Sequence, residues 1–323
     1  MNYYLAPMEG ITGFVFRQAY HDCFGGMDKY FTPFLSPNQT GKLGPREGRD
    51  VAPENNRGMY VVPQILTNSA ADFIRTAKTL KAMGYGEVNL NLGCPSGTVV
   101  SKKRGAGFLA FPRDVDACLY EIFARLDMKI SVKTRLGVRD PEEFCRLLEI
   151  YNRYNMEELI IHPRVREDYY KNRPRMDAFW RAFQESKNPV CYNGDIFSGE
   201  DLEKTAGRFP GLEAVMMGRG IAAYPGLLRD GRETPAAVKE HLRQFHDCLY
   251  EANRRVYLKE AGPKVVLFKM KEVWCYMLYA FKDGEKPGKK IKKAQRLEEY
   301  EAAVTAIFRE REVIPGGGYR GTP

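Results

Sequence analysis

One thiol, one amine, one imidazole and several carboxamides stand at the ends of strand-like runs in this chain. The sharpest of these stretches is Asn89-Leu90-Asn91-Leu92-Gly93-Cys94-Pro95. Alternation from Val88 to Leu92 predicts a half-buried strand, which Gly-Cys-Pro breaks abruptly. The break leaves Cys94 at a strand's carboxyl end, where barrel and doubly wound enzymes build their sites. A thiol with an ordinary pKa of about 8.5 is mostly protonated at neutral pH and can serve as an acid. Lys133, His162, Asn193 and Gly218-Arg219 hold matching places on later runs, and Met8 and Gln64 on earlier ones. Asn193-Gly194-Asp195 and Met217-Gly218-Arg219-Gly220 fit a phosphate site, with glycines allowing close backbone approach and Arg219 adding charge. Singly, each residue has a plainer reading. Cys94 could be a small buried hydrophobe, His162 a satisfied core histidine, Lys133 a carboxylate's partner and Gln64 a strand cap. Their recurrence at equivalent positions is what points to an enzyme.

The elements that position them alternate. Strand-like runs fall at 3–7, 29–32, 60–66, 87–92, 130–135, 158–162, 190–193 and 214–217, with helix-like stretches such as 69–83, 113–126 and 141–154 between them. Asp140-Pro141-Glu142-Glu143 reads as a helix start. Eight βα units predict an α/β fold, a (β/α)8 TIM barrel over residues 1–235. The doubly wound alternative needs a glycine-rich fingerprint after the first strand, and Ala6-Pro7-Met8-Glu9-Gly10 is not one. Beyond residue 235 the strand signal stops. Segments 236–261, 264–281 and 292–309 read as helices, so residues 236–323 form an appended C-terminal helical domain with a mobile tail at 315–318.

Composition bounds the function. The 323 residues are 44% hydrophobic and 28% charged, ordinary for a globular protein. No apolar run approaches the roughly 18–20 residues of a membrane span, and the start lacks a signal-peptide pattern. Seven scattered cysteines with no C-x-x-C pair argue against a disulfide framework or a metal site, and for the cytoplasm. The net charge of +9 is uneven: 18 Lys/Arg face 12 Asp/Glu from residue 236 onward, against 32 and 29 before it. That asymmetry suggests a polyanionic partner or a solvated basic face.

The ordered motifs Ala6-Pro7-Met8-Glu9-Gly10, Pro63-Gln64-Ile65, Asn91-Leu92-Gly93-Cys94-Pro95, Val132-Lys133-Thr134-Arg135-Leu136-Gly137, Ile161-His162-Pro163-Arg164, Asn193-Gly194-Asp195-Ile196 and Met217-Gly218-Arg219-Gly220 resemble the flavin-dependent tRNA-dihydrouridine synthases. The family usually has Asp at the place of Gly13, Gly and Thr at Pro163 and Val165, and Ala at Gly220. The resemblance implies FMN as cofactor, NADPH as external reductant and tRNA as substrate, with a uridine reduced to 5,6-dihydrouridine. It implies Cys94 as the catalytic acid toward C5, while FMN delivers hydride to C6. Pro7, Met8, Glu9, Gln64, Lys133, His162, Asn193, Gly194, Asp195, Gly218 and Arg219 are implied to hold the cofactor.

On the substrate side, Asn91 is implied to orient the uracil. Lys102, Lys103, Arg104, Arg135, Arg164 and Arg166 are expected to contact the RNA, because a uracil must be splayed from its stack to enter a barrel mouth. The C-terminal cluster Lys282, Lys286, Lys289, Lys290, Lys292, Lys293 and Arg296 is expected to track the RNA backbone, with Trp274, Tyr276 and Phe281 as helical core. No metal, no membrane and a monomer are expected. The alternatives are a flavin barrel acting on a free pyrimidine or another small conjugated substrate, the same chemistry on ribosomal RNA, and a non-catalytic RNA-binding module.

Overall fold

The computed structural model describes residues 1–38, 43–314 and 316–319. Its strands are β1 (Asn2–Leu5), β2 (Lys29–Phe31), β3 (Val61–Val62), β4 (Gln64–Ile65), β5 (Glu87–Leu92), β6 (Lys129–Arg135), β7 (Glu158–His162), β8 (Val190–Tyr192) and β9 (Ala214–Met217). All pair in parallel, in the order β3-β2-β1-β9-β8-β7-β6-β5-β4. The two ends of that order, β3 and β4, are one stave interrupted at Pro63. Proline has no N–H for the ladder, so the strand expected at 60–66 splits there. The Pro63 carbonyl still accepts the N–H of Asn89 at 2.9 Å, and the ring closes as eight staves with helices outside.

The period-2 alternation sorts the staves into two faces. Val88, Leu90 and Leu92 point outward into the core shared with the helices, while Glu87, Asn89 and Asn91 point into the barrel. The run expected to be half-buried is therefore buried on both faces, because its polar side faces the barrel interior rather than water. Tyr4, Ala6, Phe31, Val62, Ile160, Cys191, Ala214 and Met216 fill an apolar plug inside the barrel. Below and beside it runs a hydrogen-bonded series, from Asn89 Nδ2 to Ser131 Oγ at 3.0 Å and from Ser131 Oγ to Glu87 Oε1 at 3.0 Å. Lys29 donates to Glu87 Oε2 at 2.8 Å, which supplies the countercharge this buried carboxylate needs.

The helices expected at 69–83 and 113–126 are Ala70–Ala82 and Pro112–Arg125. The third starts late, at Glu143–Tyr151, because the Glu143 carboxylate accepts the N–H groups of Val138, Arg139 and Asp140 and holds them in a turn. After Met217 no further strand occurs among the described residues. Helix Pro235–Ala261 lies on helix Phe14–Cys23, with the Phe245 ring 5.5 Å from Phe16 and 5.7 Å from Phe24. Helix Pro263–Met277 brings in Trp274, fully buried, whose Nε1 donates to Tyr300 Oη at 2.8 Å. The helix expected at 292–309 is two, Glu285–Lys293 and Leu297–Glu310. Between them the Glu299 carboxylate takes the N–H of Gln295, and Ala294 offers its carbonyl to Lys271. Lys286, Lys289, Lys290, Lys292, Lys293 and Arg296 are exposed around this break.

Candidate active site

At the carboxyl ends of the strands lies a cavity of about 700 Å³, within the roughly 300–1,000 Å³ usual for small-molecule and cofactor sites. Inward positions of seven staves reach it: Met8 after β1, Gln64, Asn91, Lys133, His162, Asn193 and Gly218. Period 2 and the parallel register put them at one level, which is why strand-end residues scattered through the sequence meet here.

Cys94 sits half-buried on the loop after β5, and Asn91 holds that loop. Asn91 Oδ1 accepts the N–H of Gly93 at 3.0 Å and of Cys94 at 2.9 Å, while its Nδ2 donates to Gln64 Oε1 at 2.7 Å. Gln64 is fixed in turn, donating from Nε2 to Asn89 Oδ1 at 2.8 Å. Behind the loop, a Cβ on Gly105 would lie 2.8 Å from the Cys94 carbonyl oxygen, at a φ of +54°, so only glycine lets the chain pass there. Burial pushes the Cys94 thiol above its ordinary pKa, against the nearby charges of Lys133 and Arg135. The thiol is protonated at neutral pH, as a proton donor requires.

Lys133 faces the cavity with no hydrogen bond or ion pair to any described residue. Burial, with Arg135 beside it, lowers its amine to about 8. His162 is buried and held well below its ordinary pKa by burial and by Arg135, Lys133 and Arg164. It is therefore neutral, with Nδ1 2.5 Å from the Asn193 carbonyl and Nε2 3.2 Å from Arg164 Nη1. Those partners assign the proton to Nδ1 and the lone pair to Nε2.

Several expected contacts are placed differently. Arg164, expected to reach RNA, is 1% exposed. It forms a bidentate pair with Asp195 at 2.8 and 2.6 Å and donates from Nε to the Asn172 carbonyl at 2.5 Å. Arg135 lines the cavity, but its guanidinium ties down the carbonyls of Gly93, Val165 and Tyr169. Asp195 does not line the cavity; it joins Arg164 to Arg219, whose Nη2 donates to it at 2.8 Å. Asn193 donates to the Met216 carbonyl at 2.8 Å. Pro7, Met8, Glu9 and Gly194 do line it, with Glu9 at the rim paired to Arg46 at 2.5 Å. Lys102 and Lys103 are exposed on the turn after Cys94, with Arg104 and Arg166 half-buried.

The sequence reading missed the aromatic wall. Tyr170 packs over Arg219 at 4.3 Å and over Arg135 at 5.2 Å, and its ring meets His162 edge-on at 5.8 Å. Phe197, Tyr276 and Tyr319 complete the wall, so Tyr276 is a cavity residue rather than helical core, and the described part of the tail is packed rather than mobile. Pro315 lies outside the described residues. The one signal in the sequence was the Tyr169-Tyr170 pair inside a charged loop.

Two departures from the resembled pattern have local causes. At Gly13 the helix Phe14–Cys23 is capped from afar, by Asp50 Oδ1 accepting the Phe14 N–H at 2.7 Å. At Gly220 a Cβ would fall 2.1 Å from the Ile196 carbonyl oxygen, which leaves no room for alanine.

The cavity lining carries Lys133, Arg135, Lys171 and Arg219 against Glu9 alone. Such a balance suits an anionic ligand. The glycines suit its backbone-lined end: a Cβ on Gly218 would lie 3.1 Å from Met8 Sδ, and one on Gly194 would collide with the Tyr192 hydroxyl.

Comparison with known proteins places these features in a family. The family model described as Dihydrouridine synthase (Dus) matches residues 4–308. A "Probable tRNA-dihydrouridine synthase" of Staphylococcus aureus (strain COL) is 30% identical over 259 residues, covering 76% of each chain. The "tRNA-dihydrouridine synthase B" of Proteus vulgaris is 26% identical over 282 residues, covering 80% of this chain and 86% of that one. Among solved structures, histamine dehydrogenase from Rhizobium sp. 4-9 shares the barrel fold at a TM-score of 0.53 and 12% identity, over 87% of this chain and 51% of that one.

Proposed function

This chain belongs to the dihydrouridine synthase family, and on that premise we propose that it is an FMN-dependent reductase converting a uridine of tRNA to 5,6-dihydrouridine, with NADPH as reductant. The observation that carries the reading is the pairing of a protonated Cys94 thiol on an Asn91-fixed loop with an unpartnered Lys133 amine in one cavity.

The residues present fit a flavin mononucleotide. A free amine, the cationic lining and the glycines at 194 and 218 match a ligand with an electron-poor ring and a phosphate. When bound and reduced, FMN supplies the hydride for C6 of the uracil. Lys133 would hold negative charge beside the ring. Gln64, with Pro7, Met8 and Glu9, would bound the ring edge. Asn193, Gly194, Gly218 and Arg219 would hold the phosphate, with Asp195 orienting Arg219 and His162, both its ring nitrogens engaged, lining the pocket beside them.

Cys94 Sγ would give its proton to C5, the carbon bonded to the hydride-receiving C6, and recover one from solvent through the open cavity. Asn91 retains one N–H for the uracil; its other N–H goes to Gln64 and its Oδ1 holds the Cys94 loop. Arg135 and Arg164 act on the loops rather than on RNA. Lys102, Lys103, Arg104 and Arg166 would meet phosphates around the splayed uridine. Residues 236–323 would form the part that follows the RNA backbone, through the exposed lysines of Glu285–Lys293. No helix of the described residues is long and apolar enough to cross a membrane; action in the cytoplasm as a monomer on tRNA is part of the proposal.

The test is the visible spectrum of the purified protein before and after anaerobic NADPH, followed by addition of unmodified tRNA or free uridine. Flavin bands that bleach with NADPH and recover with tRNA but not uridine support the reading. A protein that FMN cannot reconstitute, or one that turns over free uridine equally well, sinks it.

A further inference from the structure

The far end of the chain returns to the active site. After helix Leu297–Glu310 the chain pairs with the segment following helix Pro263–Met277: Lys282 N–H donates to the Glu312 carbonyl at 2.9 Å and Ile314 N–H to the Ala280 carbonyl at 2.8 Å. Three glycines then thread a gap too narrow for side chains. A Cβ on Gly316, at a φ of +65°, would lie 2.8 Å from Asp230 Oδ2. On Gly317 it would lie 2.7 Å from the Ile314 carbonyl oxygen, and on Gly318 3.2 Å from Phe197 Cβ.

What the thread delivers is Tyr319. Its ring centroid lies 5.0 Å from Tyr279, 5.5 Å from Phe197 and 5.6 Å from Tyr276, and its ring lies 5.3 Å from the Arg219 guanidinium. Arg219 is thus boxed by Tyr319, Phe197 at 5.2 Å and Tyr170 at 4.3 Å, with Asp195 holding its Nη2. Tyr319 also lines the cavity itself.

We propose that Tyr319 is a binding residue of the flavin site and that Gly316–Gly318 form the strap that seats it. The proposal rests on the flavin reading given above. The strap closes the wall of the cavity beside Arg219 and fixes that cation through its ring face. With the ring gone, Arg219 keeps Asp195, Phe197 and Tyr170 but loses one wall of its box, and water can enter on that side, so the cofactor is held less tightly. Tyr319, with Tyr276 of helix Pro263–Met277, thereby joins a site whose reacting groups lie at the strand ends.

The experiment is a titration of full-length apoprotein with FMN, read by quenching of flavin fluorescence. Tyr319→Ala is expected to weaken FMN about tenfold, a loss in the range of one ring–guanidinium contact. Tyr319→Phe, which keeps the ring, is expected to bind within about twofold of the unaltered chain. Gly317→Ala touches no cavity residue's chemistry, yet it is expected to reproduce Tyr319→Ala because backbone oxygens exclude its Cβ. Gly207→Ala, at an exposed helical position with nothing within 4 Å of an added Cβ, is the control. Melting of the variants without FMN close to that of the unaltered chain assigns the loss to the cofactor. FMN affinity unchanged in Tyr319→Ala and Gly317→Ala overturns the strap, even where RNA affinity falls. An unaltered chain that binds no FMN overturns the flavin reading and the strap with it, an outcome distinct from the former.

Discussion

Asn91 Oδ1 accepts the backbone N–H of Cys94 at 2.9 Å, so the thiol's loop is set by a side chain from the strand that precedes it. The same carboxamide donates to Gln64, which donates to Asn89. A residue read from sequence as a substrate contact is therefore first a fixture of the catalytic loop. Asn91→Asp keeps the acceptor and loses the donor; Asn91→Ala loses both.

If the loop role dominates, Asn91→Asp should retain far more activity than Asn91→Ala. The expected losses in kcat are about tenfold and about 10²–10³-fold, since misplacing a proton donor forfeits most of what a general acid contributes. Single-turnover reduction of tRNA by prereduced enzyme reads the chemical step directly. Equal losses in the two variants would transfer Asn91's weight to the uracil contact.

Lys133 sets an alkaline limit. Burial and Arg135 lower its amine to about 8, so the ammonium is present below that pH and lost above it. The Cys94 thiol, raised by burial, stays protonated through the same range. Activity is therefore expected to fall as pH rises through about 8 because of Lys133, not Cys94. Lys133→Arg, charged at all accessible pH, should have lower kcat but no alkaline limb near 8. A limb that persists in Lys133→Arg would reassign it to another group.

Much of the site was legible because inward-facing positions on parallel strands recur at strand ends, and local sequence reports that recurrence. Gln64, Asn91, Cys94, Lys133, His162 and Gly218 were all found by this means. Tyr170, Tyr276 and Tyr319 were not, because each reaches the cavity through a loop or a helix whose docking depends on contacts distant in sequence. The fate of Arg164 was hidden for a similar reason. Its partner Asp195 stands 31 residues away, and it is the parallel pairing of β7 with β8 across a crossover helix that brings the two loops together. Pro63, by contrast, carried the signal for the split stave in its own chemistry, yet residues 60–66 read as one unbroken strand.

The exposed turn at Lys102, Lys103 and Arg104 and the enclosed Arg164 should separate in their dependence on salt. Replacing all three turn residues by Ala is expected to lower the slope of log K for tRNA against log salt by about 2–3, roughly one per lost phosphate contact. Arg164→Lys should leave that slope unchanged while weakening FMN, because a lysine cannot hold both Asp195 oxygens. Filter binding from low to moderate salt measures the first and fluorescence titration the second. An altered salt slope in Arg164→Lys would return that residue to the RNA surface.

Glu158 carries a stability signature with a definite sign. It is buried inside the barrel, where Tyr4 Oη donates to Oε1 at 2.9 Å and Oε2 has no partner among the described residues. Burial raises its carboxyl to about 7, partly offset by Lys29. The folded state thus holds a proton that the unfolded chain releases near 4.5, so stability falls as pH rises from about 4.5 to 7. Glu158→Gln keeps the acceptor for Tyr4 and removes the ionisation. Its stability relative to the unaltered chain should climb over that window by up to about 3 kcal/mol, since each pH unit between the two titrations is worth roughly 1.4 kcal/mol. Urea unfolding at pH 5 and pH 8 measures the difference. A constant difference would mean that Lys29, 3.9 Å from Glu157 and 2.8 Å from Glu87, compensates Glu158 well enough to keep it ionised throughout.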